Sequence, residues 1–239
     1  MKCKSIFVAI LLLGLVTVVS AETSSDYGGS RSIRLREGWN LATIYAIPIE
    51  DIFKKAEYPE SSAAVDLYSG IGAIFFYDRY NSEYIRMYPE PESVKISQLL
   101  KNVGDPEKGG DTGEYGAVVN SSVWIYSEKD QTLNYNAVDG PLQHKYVNIQ
   151  SGWNFLSVTP EYIGKTLNQL KGSCNFMKIY SYSRDGGRSS WVDMLNDTNF
   201  FNNEKFDESS VGAGFVIKVT NSCKMGTTAS VPTVPSFPN

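Results

Sequence analysis

Residues 150–164 read QSGWNFLSVTPEYIG, and residues 36–50 read REGWNLATIYAIPIE. Both hold Gly-Trp-Asn followed by an apolar residue, at Gly38-Trp39-Asn40 and at Gly152-Trp153-Asn154. Each follows a short alternating segment, Ile33-Arg34-Leu35 or Val147-Asn148-Ile149, and each runs on through apolar residues to a proline, Pro48 or Pro160. Glycine where a strand begins permits a kink or a close backbone approach. Tryptophan brings a large apolar body, and asparagine can bond nearby backbone. A motif written twice at strand starts reads as architecture, so Trp39 and Trp153 are expected in the core; a sugar-binding tryptophan is the functional alternative. After the second motif Trp153 and Phe155 share one face, Leu156 and Val158 the other. Apolar residues on both faces predict a strand buried between layers.

The two surroundings match further out. A helix is expected after each motif. In the second copy Thr159 serves as N-cap, Pro160 as N1, Glu161 falls in the first turn, Gly172 is the stop, and Ile163, Leu167 and Leu170 form one stripe. In the first, Ile49, Ile52 and Phe53 allow one or two turns before Tyr58-Pro59. Hairpins follow: Ala73–Tyr80 with Tyr84–Tyr88 around Asn81-Ser82, and Met177–Ser183 with Ser190–Met194 around Asp185-Gly186-Gly187. Late strands close each copy, Ser121–Ser127 and Gly212–Val219. The first copy adds an amphipathic helix (Val94, Leu99, Leu100, Val103, ended by Gly104), a glycine-rich acidic loop and a strand at Thr132–Tyr135. The expected class is α+β, with two tandem, mainly antiparallel β modules, 32–137 and 146–225, each with a short helix after its Gly-Trp-Asn strand and joined by a linker at 138–145. One continuous duplicated β-sandwich is the alternative.

On LREGWNL (35–41), IQSGWNFLSVTP (149–160) and VGAGFVIKV (211–219), the chain resembles the tandem Gly-Trp-Asn repeat modules of secreted and cell-surface proteins of prokaryotes, notably archaea. The resemblance covers most of the chain beyond its first residues and is closer in the second half. The first copy has Asn120-Ser121-Ser122-Val123-Trp124 where the closing motif has glycines. The resemblance implies a surface location and modularity, and carries no catalytic assignment.

Lys2 and Lys4, the apolar run Ile6–Val19 and the small residues Val19-Ser20-Ala21 read as a secretory signal peptide, 1–21, followed by a flexible segment at 22–31. No later stretch reaches the ~20 apolar residues of a spanning helix, so no transmembrane span is expected in the mature chain. Cys3 leaves with the signal. Cys174 and Cys223 remain, and in an oxidising compartment one disulfide follows, worth about 4 kcal/mol in the chain-entropy account. The net charge of −4 becomes more negative once Lys2 and Lys4 are removed, which argues against nucleic acid as a partner. In the tail, 226–239, Pro232, Pro235 and Pro238 recur at every third position, as in an extended polyproline II spacer.

Candidate chemistry is sparse. The single histidine, His144, lies in PLQHKYV without a nucleophile signature, and bridged cysteines supply no thiolate. One histidine and a bridged pair are too few zinc ligands, and no cofactor is expected. Carboxylates are plentiful, but no pair is marked out; Asp78 and Asp193 both sit at hairpin ends. Asp105, Glu107, Asp111 and Glu114, in GDPEKGGDTGEYG (104–116), offer hard oxygen ligands for Ca²⁺, although Lys108 interrupts them and a solvated loop is the commoner meaning. Asn120-Ser121-Ser122 and Asn196-Asp197-Thr198 are glycosylation sequons.

The richest feature is aromatic: 15 tyrosines and 4 tryptophans. Tyr77, Tyr80, Tyr84, Tyr180, Tyr182 and Trp191 crowd the hairpins and are the candidate ligand-binding residues, suited to flat sugar faces or to a protein partner. Cross-strand pairing on a tyrosine-rich sheet is the plainer alternative. The expected function is non-catalytic recognition or adhesion outside the cell, with an envelope polysaccharide or a surface protein as partner. A carboxylate-dependent extracellular hydrolase and a purely structural envelope component are the rivals.

Overall fold

The structure is a computed structural model, and it describes residues 30–57, 69–103, 121–136, 148–185 and 188–226. The signal segment, the acidic loop with Asp105, Glu107, Asp111 and Glu114, Asn120, the linker with His144, the Gly186-Gly187 turn and the proline-rich tail lie outside the described residues.

The described chain is β-rich with few helices. The first half runs β1 (Ser30–Leu35), β2 (Gly38–Thr43), α1 (Ile49–Glu57), β3 (Ile71–Asp78), β4 (Glu83–Tyr88), α2 (Ser93–Val103), β5 (Ser122–Ser127) and β6 (Gln131–Asn136). The second runs β7 (Asn148–Ile149), β8 (Gly152–Ser157), α3 (Leu167–Leu170), β9 (Phe176–Asp185), β10 (Arg188–Asp193), α4 (Thr198–Asn202), β11 (Gly214–Val219) and β12 (Cys223–Lys224). Two antiparallel four-stranded sheets result, ordered β2-β5-β3-β4 and β8-β11-β9-β10. In each half the strand before Gly-Trp-Asn pairs with the strand after the late one: β1 with β6, and β7 with β12.

Alternation along the strands builds two kinds of core. One face of the first sheet (Ile74, Phe76, Ile85, Met87, Val123, Ile125) packs under α1, α2 and the β1-β6 pair, which contribute Ile52, Ile96, Leu99, Leu35 and Leu133. One face of the second (Leu156, Ile179, Phe215, Ile217, Val219) packs under α3 and the β7-β12 end, with Leu167, Leu170, Tyr162 and Ile149. The opposite faces of both sheets meet. There Leu41, Phe155 and Val216 are buried, and Tyr77, Trp124, Trp153, Tyr180 and Tyr182 pack around them. The strand β8 is therefore apolar on both faces because it lies between two layers, with Leu156 in its own core and Phe155 in the seam.

The seam also has backbone contacts. Thr43 N–H donates to the Gly212 carbonyl (2.8 Å), Ser157 Oγ donates to the Ser121 carbonyl (2.7 Å), and Ala42 bridges Ala213. The glycines of VGAG serve this approach. A Cβ on Gly214 would stand 2.5 Å from Leu41 Cγ and 2.7 Å from Ser122 Cβ.

Two expectations are corrected. The segment 160–172 is not one helix. Gly164 adopts φ +75°, its N–H donates to the Phe206 carbonyl, and Ile163 bridges Phe206. The chain is pinned there, so a 3₁₀ turn (Pro160–Tyr162) and the short α3 replace a continuous helix. Thr159 makes no capping bond; Thr166 caps instead, in a reciprocal capping box with Gln169. The better helix follows the first motif, as α1. Val94, assigned to the apolar stripe of α2, is 85% exposed, and Ile96 occupies the buried face with Leu99. Cys174 and Cys223 are bonded, with Cα atoms 5.1 Å apart, and tie the end of α3 to β12.

Candidate functional site

Gly-Trp-Asn is resolved into three separate jobs. Gly38 and Gly152 both adopt φ +93°, a region that favours glycine, where the chain turns into β2 or β8. Asn40 and Asn154 then close that turn. Asn154 Nδ2 donates to the carbonyls of Gln150 (2.8 Å) and Gly152 (3.3 Å), while its Oδ1 accepts from Gln150 N–H (3.0 Å). Asn40 makes the same set with Arg36 and Gly38, at 2.7, 2.8 and 2.9 Å.

The tryptophans point the other way, into the seam. Trp39 is 38% exposed, which corrects its expected place in a core, and packs against Tyr126 (5.2 Å between ring centres) and Phe75 (6.0 Å). Trp153 is half-buried on the matching strand of the other sheet, with the Lys218 ammonium 5.5 Å from its ring centre.

Where the two aromatic faces part, a groove of about 390 Å³ opens, lined by Trp39, Phe75, Tyr84 and Trp124 from the first sheet and Tyr182 and Trp191 from the second. Period-two alternation explains the lining: Val123 and Ile125 face the first core, so Trp124 and Tyr126 face outward. Trp124 is wedged edge-on against Tyr182 (4.8 Å) and Trp191 (5.5 Å). Tyr84 and Trp191 each remain 47% exposed. Burial raises the Tyr84 pKa, with the neighbouring Trp124 indole acting in the opposite direction, so the phenol stays neutral at ordinary pH. Among the described residues no carboxylate lines the groove.

Of the six candidate residues, Tyr84, Tyr182 and Trp191 meet in this groove. Tyr77 lies in the seam behind it, tilted against Phe155 (4.7 Å) and edge-on to Tyr84 (5.3 Å). Tyr180 extends the aromatic face past Trp191 (6.1 Å) toward Trp153 (6.3 Å). Tyr80 is elsewhere: it packs against the first core, and its hydroxyl is buried with no hydrogen-bond partner among the described residues. Trp39, Phe75 and Trp124 were absent from the candidates. Strand parity marks Trp124 as outward, but the meeting of two sheets has no local signal.

Both hairpin-end acids have structural work. Asp78 is buried and accepts from Tyr80 N–H and Asn81 Nδ2; Asp193 accepts from the N–H groups of Leu195 and Asn196 and from Asn196 Nδ2. Among the described residues no three His, Cys, Asp or Glu side chains are grouped to hold a metal. Asn196 is exposed at the start of the turn capped by Asp197. No described helix is long and apolar enough to cross a membrane. In comparison with protein-family models, curated proteins and solved structures, nothing matches this chain.

Proposed function

We propose that the chain is a non-catalytic recognition protein of the cell exterior, made of two copies of one α+β unit, and that it holds a saccharide chain in the groove between them. The observation that carries this reading is the groove itself. Six aromatic side chains converge on one opening, and three of them keep 38–47% of their surface exposed. Leaving that much aromatic surface in water forgoes burial worth about 25 cal/mol per Å². Rigid ring faces held by edge-to-face contacts suit the apolar C–H face of a sugar, and flanking hydroxyls suit its rim.

Duplication is supported by the matching strand orders, by the paired Asn40 and Asn154 contacts, and by the equal φ of Gly38 and Gly152. An exterior setting is supported by the Cys174–Cys223 bond and by the sequence of residues 1–21.

Binding of labelled 22–239 to a panel of polysaccharides and isolated envelope fractions tests the reading. Saturable glycan binding, weakened about tenfold or more in Trp191→Ala and in Trp39→Ala, is the expected result; hot-spot aromatics carry losses of that order. Binding confined to a protease-sensitive fraction would replace the glycan with a protein partner. Turnover of a bound glycan would overturn the non-catalytic part.

A further inference from the structure

The aromatic face does not end at the groove. Ring contacts run from Trp124 to Trp191 (5.5 Å), Trp191 to Tyr180 (6.1 Å) and Tyr180 to Trp153 (6.3 Å). At that far end the second sheet sets Lys178 of β9 directly opposite Lys218 of β11, and Lys218 opposite Trp153 of β8. Like charges directly opposite one another destabilise a sheet and are ordinarily relieved by an acid. Here neither lysine has an ion-pair partner among the described residues. Each is held over a ring instead, Lys178 at 5.9 Å from Tyr180 and Lys218 at 5.5 Å from Trp153. Asp193 is near enough to feel Lys178, but its carboxylate is occupied by Leu195, Asn196 and the Asn196 side chain. At the corresponding place beside Trp39 the first sheet pairs Ala73 with Tyr126 and carries no charge. The chain as a whole carries a net charge of −4, so a general excess of basic residues does not account for the pair.

We infer that the ligand is an acidic polysaccharide, and that Lys178 and Lys218 form a carboxylate subsite at one end of the aromatic track. This rests on the glycan reading of the groove and adds its chemical class. A saccharide chain held in the groove at Trp191 and running on past Tyr180 brings a carboxylate between the two ammoniums. There it accepts charge-assisted hydrogen bonds and removes the cross-strand repulsion. The rings, already over or beside both lysines, fix their positions before the ligand arrives.

The test uses intact 22–239 with polygalacturonic acid and its fully methyl-esterified form, which share a backbone and differ in charge. Wild type is expected to bind the acid at least about tenfold tighter than the ester in low salt, the gap closing as salt rises. Lys178→Gln with Lys218→Gln should equalise the two forms and leave the weaker ester binding intact. Retained ester binding also shows that this variant is folded. Trp191→Ala should weaken both forms together. Equal wild-type binding of acid and ester, or a preference that survives the double substitution, overturns the carboxylate subsite while leaving the groove reading standing. Binding of some neutral glycan but neither of these has the same meaning. Absence of binding to every glycan in the wider panel overturns the groove reading, and the subsite with it.

Discussion

Asn154 is fully buried, and its side chain is spent entirely on the turn that precedes its own strand. Replacing it with alanine leaves a half-buried N–H and two half-buried carbonyls without its side chain. Asn154→Ala should therefore cost about 1–3 kcal/mol in urea unfolding, and Asn40→Ala less, because the first turn is more open to water. Gly214 makes the opposite demand. A methyl there would strike Leu41 and Ser122 across the seam, so Gly214→Ala should destabilise by about 1–3 kcal/mol through overpacking. Both roles are partly readable in the chain, since asparagine two places after a turn glycine suggests a backbone clasp. Trp39 was not readable in the same way. Its neighbours in sequence match those of Trp153, yet it is exposed where Trp153 is half-buried.

Strands and turns are held at their ends by carboxylates. Asp193 accepts from the Asn196 backbone, Asp207 from Ser209 and Ser210, and Asp130 from Glu37 N–H and Arg36. Glu92 clamps the open edge of β4, accepting from Arg86 N–H while its own N–H donates to the Arg86 carbonyl. These hydrogen bonds favour the ionised form and lower all four pKa values. A lowered folded pKa means that the stabilisation is complete above the ordinary carboxylate range and is lost as pH falls through the folded values. Unfolding free energy should accordingly be level from pH 7 to about 5 and drop below about pH 4. A drop centred above pH 5 would show that other groups dominate. Strands and hairpins were legible because period-two alternation and turn residues are local signals. The helix at 160–172 misled because Thr159 and Pro160 mimic a start, whereas a contact with Phe206, distant in sequence, decides the backbone at Gly164.

At the scale of the whole molecule, two cores are joined by a third apolar layer that neither half completes alone. Phe155, 8% exposed, is its centre, reaching from the second sheet to Tyr77 and Tyr84 of the first. Phe155→Ala should cost about 3–5 kcal/mol and uncouple the halves, so that calorimetry shows two transitions where the parent shows one. A single transition at reduced temperature would mean that the backbone contacts at Gly212 and Ser121 suffice to couple them. In that uncoupled variant, reduction of Cys174–Cys223 should lower the transition of the second half by more than that of the first, since both sulfurs lie in the second half. From strand patterns alone, two tandem modules and one continuous sandwich are alternatives. Each sheet has its own covered core, yet the sheets also pack face to face; only long-range contact decides between the two, and strand patterns do not carry it.

All four tryptophans of the chain, Trp39, Trp124, Trp153 and Trp191, stand on the facing surfaces of the two sheets, and neither inner core contains one. Indole fluorescence is therefore a native optical probe of the seam alone. Excited selectively, it will report ligand occupancy and separation of the halves, while the loosening of either core beneath its helices will pass unseen until the seam itself opens.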